Sequence, residues 1–383
     1  MLKILYIYRA LAIWGGIERV LVDKMNYLAS NEGYDVYMVT ANQGNHIVPY
    51  PLDHRVHLTD LGVQTHHMYR YRGLKRLLTA WRKHCLYRKL FTETFHRINP
   101  DIVICTMADD VGLLVRLKGN TPLIVECHNS RLGLYPSRSV ANTVRRWYLY
   151  RQLRRAQAIV ALTEGDAADW RRTFSQVRII PNIVQLNTTG RYSDHTSRRV
   201  IFVGRFNAQK RVMEAVRIWQ MVVSRYPDWH LDIYGEGSEG ELLSALPLAD
   251  YNIEVHKPTI AITDRYIDSA FLIMTSSFEP FGLVLPEAMS CGLPIVAYDV
   301  PYGPRSIITD GTDGFIVSDG DAQAFAERMC TLMSDPGLCS QMGRAAISSA
   351  QRFAASAIMP QWVQFFDELT GQGGRESVAH TPQ

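Results

Sequence analysis

Two glutamates carry the clearest chemical signal in this sequence. Glu279 and Glu287 stand with seven residues between them in Ser276-Ser277-Phe278-Glu279-Pro280-Phe281-Gly282-Leu283-Val284-Leu285-Pro286-Glu287. Pro280 and Gly282 suit a tight turn, and a helical pattern begins at about Leu283. The N–H groups of Phe281, Gly282 and Leu283 therefore fall at a helix start, where free N–H groups bind phosphate. Two carboxylates flanking a phosphate would repel it, so they are better suited to accept hydrogen bonds from sugar hydroxyls. Together these groups suit a sugar-nucleotide diphosphate lying across the loop. The glutamate spacing is weak by itself; its setting makes it informative.

That setting is a β-loop-α-β unit. The apolar run Phe271 to Met274 reads as a buried parallel strand, the helix stops near Gly292-Leu293-Pro294, and Ile295 to Tyr298 reads as the next strand. The loop thus lies at the carboxyl end of a strand, where open α/β sheets bind ligands. With its strand, loop and helix, the segment closely resembles the E-x7-E region of the retaining glycosyltransferases of family 4 (glycosyl transferases group 1). The resemblance implies an α/β GT-B fold: two Rossmann-like domains facing across a cleft, with a C-terminal helix crossing back to the first domain.

Other segments resemble the same family in the same order. Leu2 to Tyr8 reads as a strand rather than a signal peptide, because Arg9 interrupts the apolar run. It is followed by Trp14-Gly15-Gly16-Ile17-Glu18-Arg19-Val20, similar to the family's first loop, which implies that the Gly15 and Gly16 backbone approaches the donor phosphates. Glu126-Cys127-His128-Asn129 ends another strand. The resemblance implies that His128 hydrogen-bonds the donor sugar or diphosphate. Strand Arg199 to Val203 leads into Gly204-Arg205-Phe206-Asn207-Ala208-Gln209-Lys210. Solvated charge is the usual fate of such residues, but the resemblance places Arg205 and Lys210 on the leaving diphosphate, whose growing negative charge must be neutralised. With no Asp-x-Asp pair read at a strand end to hold a metal, two fixed cations could replace one there, and no metal or other cofactor is expected. Gly235-Glu236-Gly237-Ser238-Glu239-Gly240 matches G-x-G-x-x-G, yet its two glutamates would repel a pyrophosphate and no acid clearly ends the next strand, as an NAD site requires. The resemblance implies instead that it forms a wall of the donor pocket, with Lys257 on the nucleobase side.

A chain of 383 residues with 47% apolar content fits two full cores. The expected division is an acceptor domain over 1–190, a polar linker over 187–198, a donor domain over 191–355, a crossing helix over 356–370 and a disordered tail over 371–383. Helical patterns fill 321–334 and 338–370. The net charge of +4 hides an asymmetry: residues 1–190 hold 26 Lys and Arg against 14 Asp and Glu, and residues 191–383 hold 15 against 23. The basic half suits an anionic partner.

Nine cations fall between Arg70 and Arg97, with Leu74, Leu77, Leu78, Trp81 and Cys85 on one helical face. Packing on its own sheet and lying on an anionic bilayer are both open to such a helix. A second basic run with aromatics spans Arg145 to Arg155. No nucleic-acid-binding motif is present, and none is expected as a partner. The six cysteines form no CxxC pair and read as reduced thiols, and the histidines between 46 and 67 fit no zinc set.

The resemblance implies transfer of a hexose from an NDP-sugar, UDP or GDP first, to a glycan or lipid-linked acceptor hydroxyl with retention. Glu279 would hold the sugar and Glu287 the ribose hydroxyls. A cytoplasmic location is expected, and the basic helices leave open a peripheral contact with an anionic membrane at its inner face. The alternatives are a sugar-nucleotide epimerase of the same fold, which needs no acceptor site, and a non-catalytic anionic-surface binder, which leaves the paired glutamates unexplained.

Overall fold

The apolar runs at the centre of each sheet become strands that are buried almost end to end. Parallel strands covered by helices on both faces carry such continuous rather than alternating apolar patterns. The computed structural model describes residues 1–31, 33–106, 110–129, 131 and 139–371; the expected tail from 372 onward lies outside them. The chain divides into two compact units, residues 1–162, 167–183 and 358–383 in one, 163–166 and 184–357 in the other.

Among the described residues the first unit has a seven-stranded parallel sheet. Its strands are β1 (Leu2–Ile7), β2 (Tyr34–Thr40), β3 (His57–Asp60), β4 (Ile102–Cys105), β5 (Leu123–Glu126), β6 (Ala158–Ala161) and β7 (Val177–Ile179). They are ordered β3-β2-β1-β4-β5-β6-β7. The second unit has a six-stranded parallel sheet of β8 (Arg199–Val203), β9 (His230–Tyr234), β10 (Ile253–His256), β11 (Phe271–Met274), β12 (Ile295–Asp299) and β13 (Gly314–Ser318), ordered β10-β9-β8-β11-β12-β13. Each order reverses direction once, next to β1 in one sheet and next to β8 in the other. In open sheets the loops leaving the carboxyl ends of the strands at such a reversal form the ligand crevice. Here β8 and β11 are neighbours, with Phe271 opposite Val200 and Leu272 opposite Ile201. Their exits are the Gly204–Lys210 and Ser276–Leu283 loops.

Each unit has its own core. Phe202, Trp219, Leu231, Phe271, Tyr298 and Phe325 belong to the core of the second. That of the first includes Leu5, Phe91, Val103, Ile159 and Trp170. Embedded in the first unit is a buried ion pair. Lys24, on the helix Gly16–Ala29, donates to Glu126 Oε1 at 2.6 Å, and both side chains are almost fully buried. The Trp362 ring of the last helix, Ala355–Thr370, lies 3.6 Å from the ammonium, measured to the ring centroid. One cation therefore ties together the first helix, the end of β5 and the chain's last helix, which groups with the first unit from Ile358 onward.

Two local expectations give way to tertiary contacts. The stretch 187–198 is not a free linker: Ser193 and His195 are buried, Ser193 donates its N–H to the Cys291 carbonyl at 2.9 Å, and His195 Nδ1 sits 3.0 Å from the Ala270 carbonyl. The chain already bonds to the second unit at Val184, whose N–H donates to the Phe353 carbonyl at 2.9 Å, so the units divide at 183–184 rather than 190–191. The helical stretch 338–370 is two helices, Pro336–Ala350 and Ala355–Thr370, broken by a 3-10 turn at Gln351–Phe353; the chain passes back to the first unit just beyond it, between Ala357 and Ile358.

A buried charge left without its partner costs about 3–5 kcal/mol, whereas removing both partners costs far less. Lys24→Met should therefore destabilise the protein by about that amount in urea unfolding, and adding Glu126→Gln should recover much of the loss. Additive losses in the double variant would mean that the pair is not coupled.

Candidate active site

The densest group of candidate residues lies where β8 and β11 end. Lys210 and Glu279 form an ion pair, with side chains 17% and 5% exposed. Ser276 donates its hydroxyl to the same Glu279 oxygen at 2.7 Å. The two loops are also joined through their backbones. Ser277 N–H donates to the Gln209 carbonyl at 2.7 Å, Gln209 Nε2 to the Phe278 carbonyl at 3.0 Å, and the Thr275 hydroxyl lies 3.1 Å from the Lys210 carbonyl. On the other side Glu279 N–H donates to the Pro301 carbonyl at 2.7 Å, and its own carbonyl accepts from Tyr302 and Gly303, each at 2.8 Å. Gly303 permits that approach: a Cβ there would lie 1.9 Å from the Phe281 carbonyl oxygen.

Around this pair stand the other candidate groups of the second unit. Arg205 is exposed and makes no ion pair among the described residues. The N–H groups of Phe281, Gly282 and Leu283 make no backbone hydrogen bond among the described residues, and Gly282 turns with φ +91° to begin the helix Val284–Ser290. Glu287 is half-buried on that helix, with Oε2 3.4 Å from the Tyr266 hydroxyl. Such an arrangement offers a buried, anchored carboxylate, a lysine, an exposed guanidinium and free N–H donors. It could hold a sugar and neutralise a diphosphate.

The remaining candidates lie elsewhere. Lys257 is exposed just past β10, the sheet edge, two strands from β8. Gly15, Gly16 and His128 belong to the first unit. Gly15 is the N-cap of the helix Gly16–Ala29, with no side-chain cap, and its carbonyl accepts from the Tyr50 hydroxyl at 3.2 Å. His128 is buried just past β5; its Nε2 lies 3.5 Å from Glu126 Oε1 and has no hydrogen-bond partner among the described residues. Burial acts to raise the Glu126 pKa, but Lys24 and His128 outweigh it and hold the carboxyl at about 2. Lys24 and Glu126 escaped the sequence reading; a lysine amid the apolar periodicity of the first helix was the available signal.

The G-x-G-x-x-G loop has a structural explanation. A Cβ on Gly235 would lie 1.9 Å from the Gly204 carbonyl oxygen, and one on Gly237 would lie 2.5 Å from that of Phe206. Phe206 N–H donates to the Glu236 carbonyl at 2.8 Å, and Glu239 N–H to the Phe206 carbonyl at 2.9 Å. These two glycines let the loop press against the backbone that carries Arg205.

Two acidic groups suggest metal binding by composition. Contrary to the expectation of no Asp-x-Asp pair at a strand end, Asp319-Gly320-Asp321 directly follows β13. Asp321 caps the helix Ala322–Ser334 through Ala324 N–H, and Asp319 pairs with Arg211 at 2.5 Å. Asp232, Glu254 and His256 also converge. There Arg199 donates to both Asp232 oxygens at 2.6 Å and to Glu254 at 3.0 Å, so a guanidinium already supplies the positive charge.

Comparison with known proteins agrees along the chain. Residues 14–188 match the sequence family described as Glycosyltransferase Family 4, and residues 191–349 match Glycosyl transferases group 1. The chain belongs to glycosyltransferase family 4. It is 26% identical over 377 residues to the amylovoran biosynthesis glycosyltransferase AmsD of Erwinia amylovora, covering 94% of this chain and 99% of that one. It is 32% identical over 225 residues to an exopolysaccharide phosphotransferase of Streptomyces coelicolor, covering 56% of this chain but 24% of that protein, so it spans about a quarter of that relative's length. The fold is that of the GT-B enzymes. It superposes on Staphylococcus aureus TarM with a TM-score of 0.78 at 15% identity, covering 96% and 99% of the two chains. For sucrose-phosphate synthase of Thermosynechococcus elongatus the TM-score is 0.79 at 19% identity, covering 97% and 100%.

In this family 4 glycosyltransferase, Gly235→Ala should force the Gly204–Phe206 backbone aside and cost about 1–3 kcal/mol, as overpacking does. Urea unfolding without ligand measures this. An unchanged midpoint would leave a ligand, rather than the neighbouring backbone, as the reason for the glycine.

Proposed function

We propose that this glycosyltransferase moves a hexose from an NDP-sugar to a glycan or lipid-linked acceptor hydroxyl in the synthesis of a cell-surface polysaccharide, with retention at the anomeric carbon. The observation that carries the proposal is the Lys210–Glu279 pair where β8 and β11 end, with exposed Arg205 on the same loop as Lys210 and free N–H groups beside Glu279.

In the proposed step, the acceptor oxygen attacks the anomeric carbon as its bond to the β-phosphate oxygen breaks. The electron pair of that bond leaves with the diphosphate, and the acceptor's proton passes to a phosphate oxygen on the same face of the sugar. Arg205 and Lys210 stabilise the charge on the departing diphosphate, helped by the N–H groups of Phe281, Gly282 and Leu283. Glu279 accepts hydrogen bonds from the sugar hydroxyls, and Glu287 from the ribose. His128 is assigned a hydrogen bond to the donor sugar, and Gly15 and Gly16 close backbone approach to its phosphates. Lys257 is assigned to the nucleobase side. A diphosphate is a good leaving group, so no general acid of the glycosidase kind is needed. In this reading the two cations carry out the charge neutralisation that a divalent ion could otherwise supply.

The names of similar proteins support the substrate classes. AmsD acts in amylovoran biosynthesis, TarM was solved with UDP and α-GlcNAc-glycerol, and the Anabaena protein HepE with UDP-glucose. UDP is therefore the first nucleotide to test.

Thermal shifts with UDP, GDP, ADP and NAD should show stabilisation by one nucleoside diphosphate and none by NAD. Glu279→Gln, which retains a hydrogen-bond acceptor for Ser276, should keep that shift while transfer falls at least ~100-fold. A variant with full transfer activity would remove Glu279 from the site, and a shift with NAD alone would overturn the donor assignment.

A further inference from the structure

The helix Gly73–Ile98 has buried residues only at its far end. Phe91, Thr94, Phe95 and Ile98 are buried, whereas every residue from Tyr71 to Leu78 is exposed. Leu74 is 72% exposed, Leu77 67% and Trp81 65%, with Leu78 and Cys85 exposed on the same side. At 3.6 residues per turn these five positions cover roughly 100° of the circumference. The opposite side is held by the protein. Lys83 donates its ammonium to the Val63 carbonyl, and Arg76 stacks 4.8 Å from the Tyr69 ring centroid. The apolar stripe therefore faces away from the segment the helix packs on. Lys75, Arg82 and Lys89 flank it, and Glu93 is the helix's one acidic residue. A second outward patch in the same unit, on the helix Val140–Leu153, has Val140, Val144 and Trp147 exposed, with Arg151 5.9 Å from the Trp147 ring.

We propose that the stripe of the helix Gly73–Ile98 docks this protein on an anionic lipid bilayer, its leucines and Trp81 entering the headgroup boundary and its flanking cations meeting the lipid phosphates. Charge complementarity selects this occupant. Leucines flanked by Lys and Arg, with a tryptophan, are the composition of helices that lie in the membrane interface. A second copy of the chain would set the same cations against each other, and nucleic acid would gain nothing from the leucines. No described helix is long and apolar enough to cross a membrane, so the contact is one of lying on the surface. The inference stands apart from the transfer reaction, because it uses none of the site residues.

The test is flotation of the full chain with vesicles of phosphatidylcholine alone and of phosphatidylcholine with roughly one-third phosphatidylglycerol. The protein should float with the anionic vesicles at least ~10-fold better than with the neutral ones, and high salt should weaken the binding. Leu77→Glu with Trp81→Glu should abolish flotation while leaving the thermal midpoint and nucleotide-induced shift in place, since both side chains are exposed. Lys75→Gln with Arg82→Gln should weaken it and reduce its salt dependence. Failure of the wild type to float, equal binding to neutral vesicles, or undiminished flotation of the Leu77/Trp81 variant would overturn the proposal. So would a dimer in light scattering that the same variant dissociates, because the stripe would then be a self-interface.

Discussion

A buried carboxylate must find a cation and hydrogen-bond donors, or it loses more in desolvation than the fold can supply. Glu279 meets that constraint with the Lys210 ammonium and the Ser276 hydroxyl. Meeting it ties the exit of β8 to the exit of β11, and backbone bonds from Glu279 to Pro301, Tyr302 and Gly303 hold the same loop to the exit of β12. The position of the carboxylate is thus determined from three strands. Arg205 and the N–H groups of Phe281 to Leu283, which no partner among the described residues claims, lie on the loops that this pairing orders. A donor diphosphate would find those charges and dipoles already oriented, the condition under which electrostatic stabilisation is most effective.

The first unit meets the same constraint with Lys24 and Glu126. That pair occupies the end of β5, two residues before His128, and Trp362 covers its ammonium. Ion pairs at this depth contribute little net stability relative to apolar packing, but removing one partner is costly. Their effect here is on arrangement: the first helix, the fifth strand and the final helix must come together for either charge to be tolerated. The last helix, far away in sequence, is thereby tied to the first unit.

Charge at the surface is distributed differently. Arg199, Asp232 and Glu254 neutralise one another within the second sheet, and Arg211 engages Asp319. The helices Gly73–Ile98 and Val140–Leu153 carry clustered positive charge together with exposed leucine, valine and tryptophan. Exposed apolar side chains bordered by one sign of charge favour a partner of the opposite sign with an apolar interior.

Much of this was legible in sequence because parallel strands announce themselves locally. Phe271 to Met274 and Ile295 to Tyr298 are continuous apolar runs ended by small residues, glycine or proline, so the alternation of strand and helix, the two-unit fold and the loops holding Arg205, Lys210 and Glu279 could be read in order. Local pattern does not show which charges meet. The Lys24–Glu126 contact, the packing of 187–198 on the second unit, the break in the helical stretch 338–370 and the employment of Asp319 and Asp321 depend on groups distant in sequence. Gly235 and Gly237 make the same point. Their sequence resembles a dinucleotide loop, but the neighbour that excludes a side chain there is the backbone of Gly204 and Phe206. Sequence by itself determined the elements and the chemical groups at their ends, because helix and strand periodicity is a short-range property. Only the tertiary structure decided which of those groups are spent on one another, because burial and pairing are settled by residues that the chain brings together after the elements have formed.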